Sequence, residues 1–351
     1  MDTLIDVPDG MSAFGDVDLI PALEEYANTG DWMVDAVTID TMQLTSTVAL
    51  PANVTLTSGV QNNGGAVAIL RLHDLKTTAA TTMRVVGRRP LVIIADHDVT
   101  LAGTIDLAAR LDAAGPGGFS PATGTGVGGN GVHIDPNDDG GGGGGGFGTI
   151  GGTGGTGGTA TGGAGGATYP ATILNGGSGG GSTALGLSCT NLGGGGGGAI
   201  LIFAKHKLTL MGAIHAGGGG GSAGMLCPSP AMYASGGGGG AGGMIYLQTP
   251  DLGGNGVLAA NGGGGGGGAC ATGVPSAGQD GRSSANTVAI GGGGSMCGSA
   301  GGNGAVQGTA PSAIAVAQYN GGGGGGGLGR ILVHAPNTAT IGSSPTAVVT
   351  P

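Results

Sequence analysis

Short apolar runs alternate with long glycine tracts over most of this chain, and four of the apolar runs are copies of one another. They are residues 91–107 (LVIIADHDVTLAGTIDL), 200–216 (ILIFAKHKLTLMGAIHA), 244–260 (MIYLQTPDLGGNGVLAA) and 331–341 (ILVHAPNTATI), aligned without gaps over their cores. In the two clearest copies Ala95 matches Ala204, His97 matches His206, Thr100 matches Thr209, Gly103 matches Gly212 and Ile105 matches Ile214. Each copy reads as an apolar strand, a short polar turn, then a strand in which Leu or Ile alternates with Thr or Asp. An unbroken apolar run suits a strand covered on both faces, whereas alternation suits one covered on a single face. The glycine just before Ile105 and Ile214 marks a bend or a close backbone approach. Upstream, residues 37–86 read as further strands (VTIDTMQL, VTLTSG, AVAILRL, TMRVV).

Glycine runs precede three of the copies (193–198, 236–240 and 321–327), follow two of them (217–221 and 262–268), and occur again at 140–146 and 291–294. Polyglycine adopts the left-handed three-residue helix of polyproline, rising roughly 3.1 Å per residue without internal hydrogen bonds. Each glycine keeps its N–H, so parallel rods can bond sideways, and the missing Cβ lets them approach. Ordering glycine costs more backbone entropy than ordering any other residue, which only a lattice of mutual hydrogen bonds offsets. A seven-residue rod spans about 22 Å and a six-residue strand about 20 Å, so the two can stack as layers. Within 151–168, Thr153, Thr156 and Thr159 recur every third residue and would share one ridge of such a rod.

The fold class predicted is mainly β: solenoid-like stacked strand pairs layered with polyglycine II helices, with almost no α-helix. The chain divides into an acidic N-terminal arm (1–36), a β-rich region holding the first copy (37–115) and a glycine-rich body with variable loops (116–351). The arm carries one candidate short helix, near residues 21–27.

Composition narrows the function classes. Of 351 residues, 91 are Gly and 16 are Pro, which by itself points to disorder. Only 9% are charged, however, and the mean hydropathy is +0.24, so the glycine is read as structural. The net charge is −10, with no Lys or Arg before Arg71, which argues against nucleic acid and anionic membrane as partners. No apolar run reaches membrane-spanning length, and residues 1–30 lack a signal-peptide pattern. The four cysteines form no Cys-x-x-Cys pair, so a zinc site is not indicated. Their even number, all in glycine-linked loops, suits two disulfides and an oxidising compartment. Cys270 with Cys297 and Cys189 with Cys227 is the favoured pairing; other pairings and four buried thiols stay open.

Two resemblances follow from these motifs. The stretch MRVVGRRPLVIIADHDVTLAGTID, with GPGG at 115–118, resembles glycine-rich repeat surface proteins of myxobacteria-like bacteria, over about residues 37–351. The alternation of glycine runs and loops from about residue 140 resembles the tail-fibre tip adhesins of T-even-like phages. That second likeness implies a sandwich of polyglycine rods whose loops bind a receptor; the adhesins' N-terminal attachment region has no counterpart here. Neither resemblance brings a catalytic residue.

Candidate chemistry is sparse. His97 and His206 occupy equivalent turn positions, which marks a structural unit rather than a unique catalytic site. The Gly-x-Ser-x-Gly pattern around Ser178 and Ser222 lies in glycine tracts, not on a strand-to-helix turn, and no run ends as a phosphate loop does. Residues 135–140 (DPNDDG) fit the start of a calcium loop through Asp135, Asn137 and Asp139, but position twelve is Gly146 where a Glu is needed. Ca2+ is the one cofactor considered. The sequence therefore points to a non-enzymatic extracellular structural protein, a subunit of a surface filament or coat. It would self-assemble through the apolar residues Leu4, Ile5, Phe14, Leu19 and Trp32 of the acidic arm. The alternative is an adhesin that binds a cell-surface glycan or protein receptor through inter-rod loops bearing Tyr169, Met232, Tyr233 and Tyr319. A third reading is ice binding along the threonine ridge.

Overall fold

The computed structural model describes residues 30–61, 64–135, 138–183, 191–228, 231–271, 273–314 and 316–350; the side chains of Asp135, Cys227, Pro228, Ala231 and Met232 are not described. Among the described residues all regular structure is β, with no α-helix. The arm residues Leu4, Ile5, Phe14 and Leu19, and the candidate helix near 21–27, lie outside the described residues.

The copies stack side by side. Their first strands, Leu91–Ala95, Ala199–Ala204, Met244–Gln248 and Arg330–His334, pair in parallel. Ala66–Leu72 and Thr55–Val60 extend this sheet at one end and Val348–Thr350 at the other, giving seven strands. The return strands form two parallel rows in an 11-stranded sheet. One row is Asp98–Leu101, Lys207–Leu210, Asp251–Gly254 and Asn337–Thr338. The other is Thr104–Asp106, Ala213–His215, Val257–Ala259 and Gly342–Ser344. The long strand Leu75–Val86 pairs with both rows and with Trp32–Asp40. Among the described residues neither sheet closes on itself.

The register between the first two copies is the one the sequence match implies: Ala204 faces Ala95, Thr209 faces Thr100 and Ile214 faces Ile105. The gapless alignment fails in the third copy, where Ile200 faces Ile245 rather than Met244, while Leu208 still faces Leu252. A one-residue slip swaps the faces of a strand. It is absorbed before Asp251, and it puts Ile245 between the sheets and Met244 on the opposite side.

Burial explains the two sequence patterns. Every residue of Leu91–Ala95 is buried, whereas Asp98–Leu101 alternates half-buried and buried. Ile93, Ile202, Leu247 and Val333 pack between the sheets against Leu101, Leu210 and Ile214. Val92, Leu201, Phe203 and Tyr246 face the other way, under Phe147, Tyr169 and Leu174. Trp32 corrects the arm assignment: the strand Trp32–Asp40 crosses the 36/37 boundary, and Trp32 is 3% exposed in this chain's own core. Its apolar indole is covered by its own sheets and needs no neighbouring subunit.

The glycine runs continue from the strands as a buried, hydrogen-bonded layer. Residues 140–146, 193–198, 236–243, 262–268 and 321–329 are buried throughout. Their partners repeat every third residue. Gly236 and Gly239 donate to Gly321 and Gly324, Gly237 and Gly240 to Ser222 and Gly219, and Gly238 and Ala241 to Gly181 and Ser178. The carbonyls of the same run accept from Gly142 and Gly145, from Gly266 and Gly263, and from Gly194 and Gly197. One run thus donates to three segments and accepts from three others, so its backbone polar groups are satisfied although no side chain covers them. A Cβ on Gly238 would overlap the Gly143 carbonyl, and one on Gly195 would sit 2.6 Å from the Ala114 nitrogen.

Candidate functional site

Because runs before a strand travel toward the sheets and runs after it travel away, the intervening segments gather at the end far from the sheets. The segments meeting there are the hairpin of His133–Asp135 with Asp138–Asp139, the hairpin of Leu226–Pro228 with Ala231–Tyr233, and residues 157–160, 269–271, 273–275, 295–298 and 318–320. Asn320 is their hub. Fully buried, it accepts the Asp139 N–H at 3.0 Å through Oδ1 and donates through Nδ2 to the Tyr233 and Ala269 carbonyls, both at 2.8 Å. Buried Ser235 donates to the Asp139 carbonyl, and Tyr319 N–H to the Cys297 carbonyl at 3.2 Å. The Cys270–Cys297 disulfide, with Cα atoms 5.8 Å apart, joins two of the segments.

Apolar side chains are exposed on this framework. Val274 is 94% and Met296 87% exposed, and Met225, Leu226, Val316 and Tyr319 are also open to solvent. Single exposed apolar residues are ordinary on protein surfaces; here several stand on adjoining loops.

The sequence-derived residues separate. Tyr319 lies on this surface and Tyr233 is half-buried beside it; the side chain of Met232 is outside the description. Tyr169 is a correction. It is buried at the sheet end, stacked on Phe147 with ring centroids 4.6 Å apart, and donates its hydroxyl to the Gly176 carbonyl at 3.1 Å. A tyrosine is accommodated there because its hydroxyl keeps a partner, and burial pushes its pKa up to about 12. The Cys270–Cys297 pairing is present; Cys189 and the side chain of Cys227 lie outside the description. Of the calcium-loop residues, Asp139 pairs with His133, and the neighbouring Asp138 carboxylate takes Thr159; Asn137 and the Asp135 side chain are outside the description. Ser178 is bonded to the Gly126 N–H and the Tyr169 hydroxyl, with no histidine among these partners. Thr153 and Thr159 are exposed and Thr156 half-buried.

Asn320 and Ser235 were not singled out in the sequence. A signal exists: a small polar residue stands directly before each run that starts at Gly140, Gly236, Gly262 and Gly321, namely Asp139, Ser235, Asn261 and Asn320. At such positions a side chain can serve carbonyls that the glycines cannot reach.

A second polar cluster lies near the sheet end of the runs. Buried Asp106 meets Arg110 at 2.6 Å, Arg84 at 3.0 Å and His215 at 3.4 Å, and accepts the Ala108 N–H at 3.1 Å. Asp106, Arg110 and His215 border an open pocket of about 620 Å3, also lined by Thr82, Thr104, Asp280 and Arg282. Burial alone would raise the Asp106 pKa. The His215 hydrogen bond, the Arg84 charge, the Ala108 amide and Arg110 outweigh that and lower it to about 2. Arg110 Nη1 lies 3.8 Å from Asp280 Oδ2 and His215 Nε2 lies 2.8 Å from the Gly281 carbonyl oxygen, so the cluster holds residues 280–281 against the sheet.

No family model, curated protein or solved structure matches this chain.

Proposed function

We propose that the chain is a non-enzymatic extracellular binding protein, in which polyglycine II rods hold the loop end rigid as a receptor-contacting surface. The group of exposed apolar residues around Val274 and Met296, set on a framework closed by Asn320 and a disulfide, carries this reading. The repeat of hydrogen-bond partners every third residue supports the rod assignment, because a three-residue helix presents the same side at each third position. The disulfide is compatible with an extracellular setting. No helix among the described residues is long and apolar enough to cross a membrane. A glycan or protein on a cell surface is the partner class; an aqueous apolar patch has little to offer a nucleic acid.

The filament or coat reading keeps one supporting observation. Among the described residues the seven-stranded sheet ends at Thr55–Val60 and Val348–Thr350, with Val60, Val348 and Val349 exposed, and a terminal strand can accept an added one.

The test combines Val274→Asp, Met296→Asp and Tyr319→Ala in the full chain and measures binding to glycan arrays and intact cells. The adhesive reading expects unchanged melting and at least tenfold weaker binding. Equal binding by the variant overturns it, as does a wild-type chain that binds no surface and polymerises instead.

A further inference from the structure

At the end of the sandwich opposite the loops, the turns of three successive strand pairs carry a histidine ladder. The rings of His73 and His97 stack with centroids 5.2 Å apart and planes 9° from parallel; those of His97 and His206 are 5.0 Å apart and 7° from parallel. Backbone bonds hold the register, His97 N–H donating to the His73 carbonyl and His206 N–H to the His97 carbonyl, both at 3.1 Å. Aspartates follow two of the histidines. Asp74 Oδ1 lies 2.9 Å from His97 Nδ1, and Asp98 Oδ1 lies 2.7 Å from His206 Nδ1 while its Oδ2 is 3.9 Å from His97 Nδ1. The ladder ends at His206, because the next copy turns through Pro250 and Lys207 pairs with Asp251 at 2.8 Å.

The geometry points to a divalent transition-metal site on this ladder, with His97 as the shared ligand and one ion bound per chain. His73, Asp74 and His97 form one candidate set and His97, Asp98 and His206 another, each with one ligand atom per residue and all of these within 4.8 Å of one another. A tetrahedral Zn2+ with bonds of about 2.0–2.1 Å places its ligands roughly 3.3 Å apart. Side-chain rotation at a solvent-facing turn spans the difference. Two imidazoles and a carboxylate, with a fourth position left to water, are a donor set for Zn2+ and its neighbours rather than for Ca2+ or Mg2+. Both sets draw on His97, whose Nδ1 faces both aspartates, so the second set cannot fill independently once the first is occupied. An ion here would tie adjacent copies together at the edge the glycine layer does not reach.

The test titrates the full-length chain with ZnCl2 at pH 7.5 and follows it by calorimetry and melting. The expected result is one ion per chain with a raised melting temperature. His97→Asn should weaken binding at least tenfold, while His133→Asn, at the loop end, should leave it unchanged. Equal binding by His97→Asn, or no saturable binding by the wild type, overturns the site. X-ray absorption of the zinc-loaded wild type should show two imidazole ligands; an all-oxygen shell would overturn it without any variant.

Discussion

Gly239 donates its N–H to the Gly324 carbonyl at 2.9 Å, a bond between two residues that have no side chains and lie in separate, fully buried runs. Ordering backbone costs about 1–2 kcal/mol per residue, and one hydrogen bond returns about 0.5–1.5 kcal/mol net. A layer of this kind holds only if nearly every donor and acceptor is used and the runs lie at contact distance. Side chains would forbid that distance.

This gives a contrast within the glycine runs. A Cβ on Gly239 would overlap the Gly263 carbonyl, whereas one on Gly293 meets only the Ser276 hydroxyl, at 3.7 Å. Gly239→Ala should cost about 1–3 kcal/mol, as overpacking does. Gly293→Ala should be neutral or stabilising by up to about 1 kcal/mol. Urea denaturation of the two variants is the check, and equal stability would return the runs to flexible linkers.

The disulfide at the loop end closes a sequence separation of 27 residues, for which loop entropy gives about 3–4 kcal/mol. Replacing Cys270 and Cys297 together by Ser should lower the melting temperature by several degrees and weaken surface binding. A variant that melts with the wild type would show that the loops are held by Asn320 and the backbone alone.

Asp106 supplies a pH dependence. Its pKa is lowered from 3.8 to about 2 in the folded chain, so the stabilisation is present in full above about pH 4 and is lost as pH falls through 2. The shift corresponds to about 2 kcal/mol. Asp106→Asn should therefore be less stable than the wild type at neutral pH, and the gap should close between pH 4 and 2. Guanidinium melts across that range check it; a gap that persists at pH 2 would mean the aspartate acts through packing.

Trp32 is the single tryptophan of the chain, so its fluorescence reports one site. Buried at 3% exposure beside the Asp74 carbonyl, it should emit as an apolar-site indole and shift red on unfolding. Trp32→Ala should cost about 3–5 kcal/mol. Red emission from the native chain would return Trp32 to the arm.

The repeat core was legible because strand pairing amplifies a local pattern: LVIIA and ILIFA are buried on two faces, and VTLAGTI and LTLMGAI on one. The strand pair 66–86 was harder to see as a copy, since no glycine run flanks it and the polar stretch KTTAAT interrupts its apolar periodicity. His73, which begins the ladder that His97 and His206 continue, therefore falls outside the copies legible in the sequence. The one-residue slip in the third copy could not be read from MIYLQ, in which either register buries apolar residues. For Tyr169, glycine-rich flanks suggest a loop while saying nothing about which end of the glycine runs it occupies. The loop surface depends on contacts such as Asn320 to Tyr233, which composition does not encode.

Amide hydrogen exchange of the native full-length chain, resolved over residues 140–146, 236–243 and 321–329, tests the ordered glycine layer most directly. If these runs are hydrogen-bonded rods, their amides exchange as slowly as those of Leu91–Ala95 and Ala199–Ala204 and gain exchange only with global unfolding. Exchange at the rate of an unstructured chain, while the strands stay protected, would contradict the account.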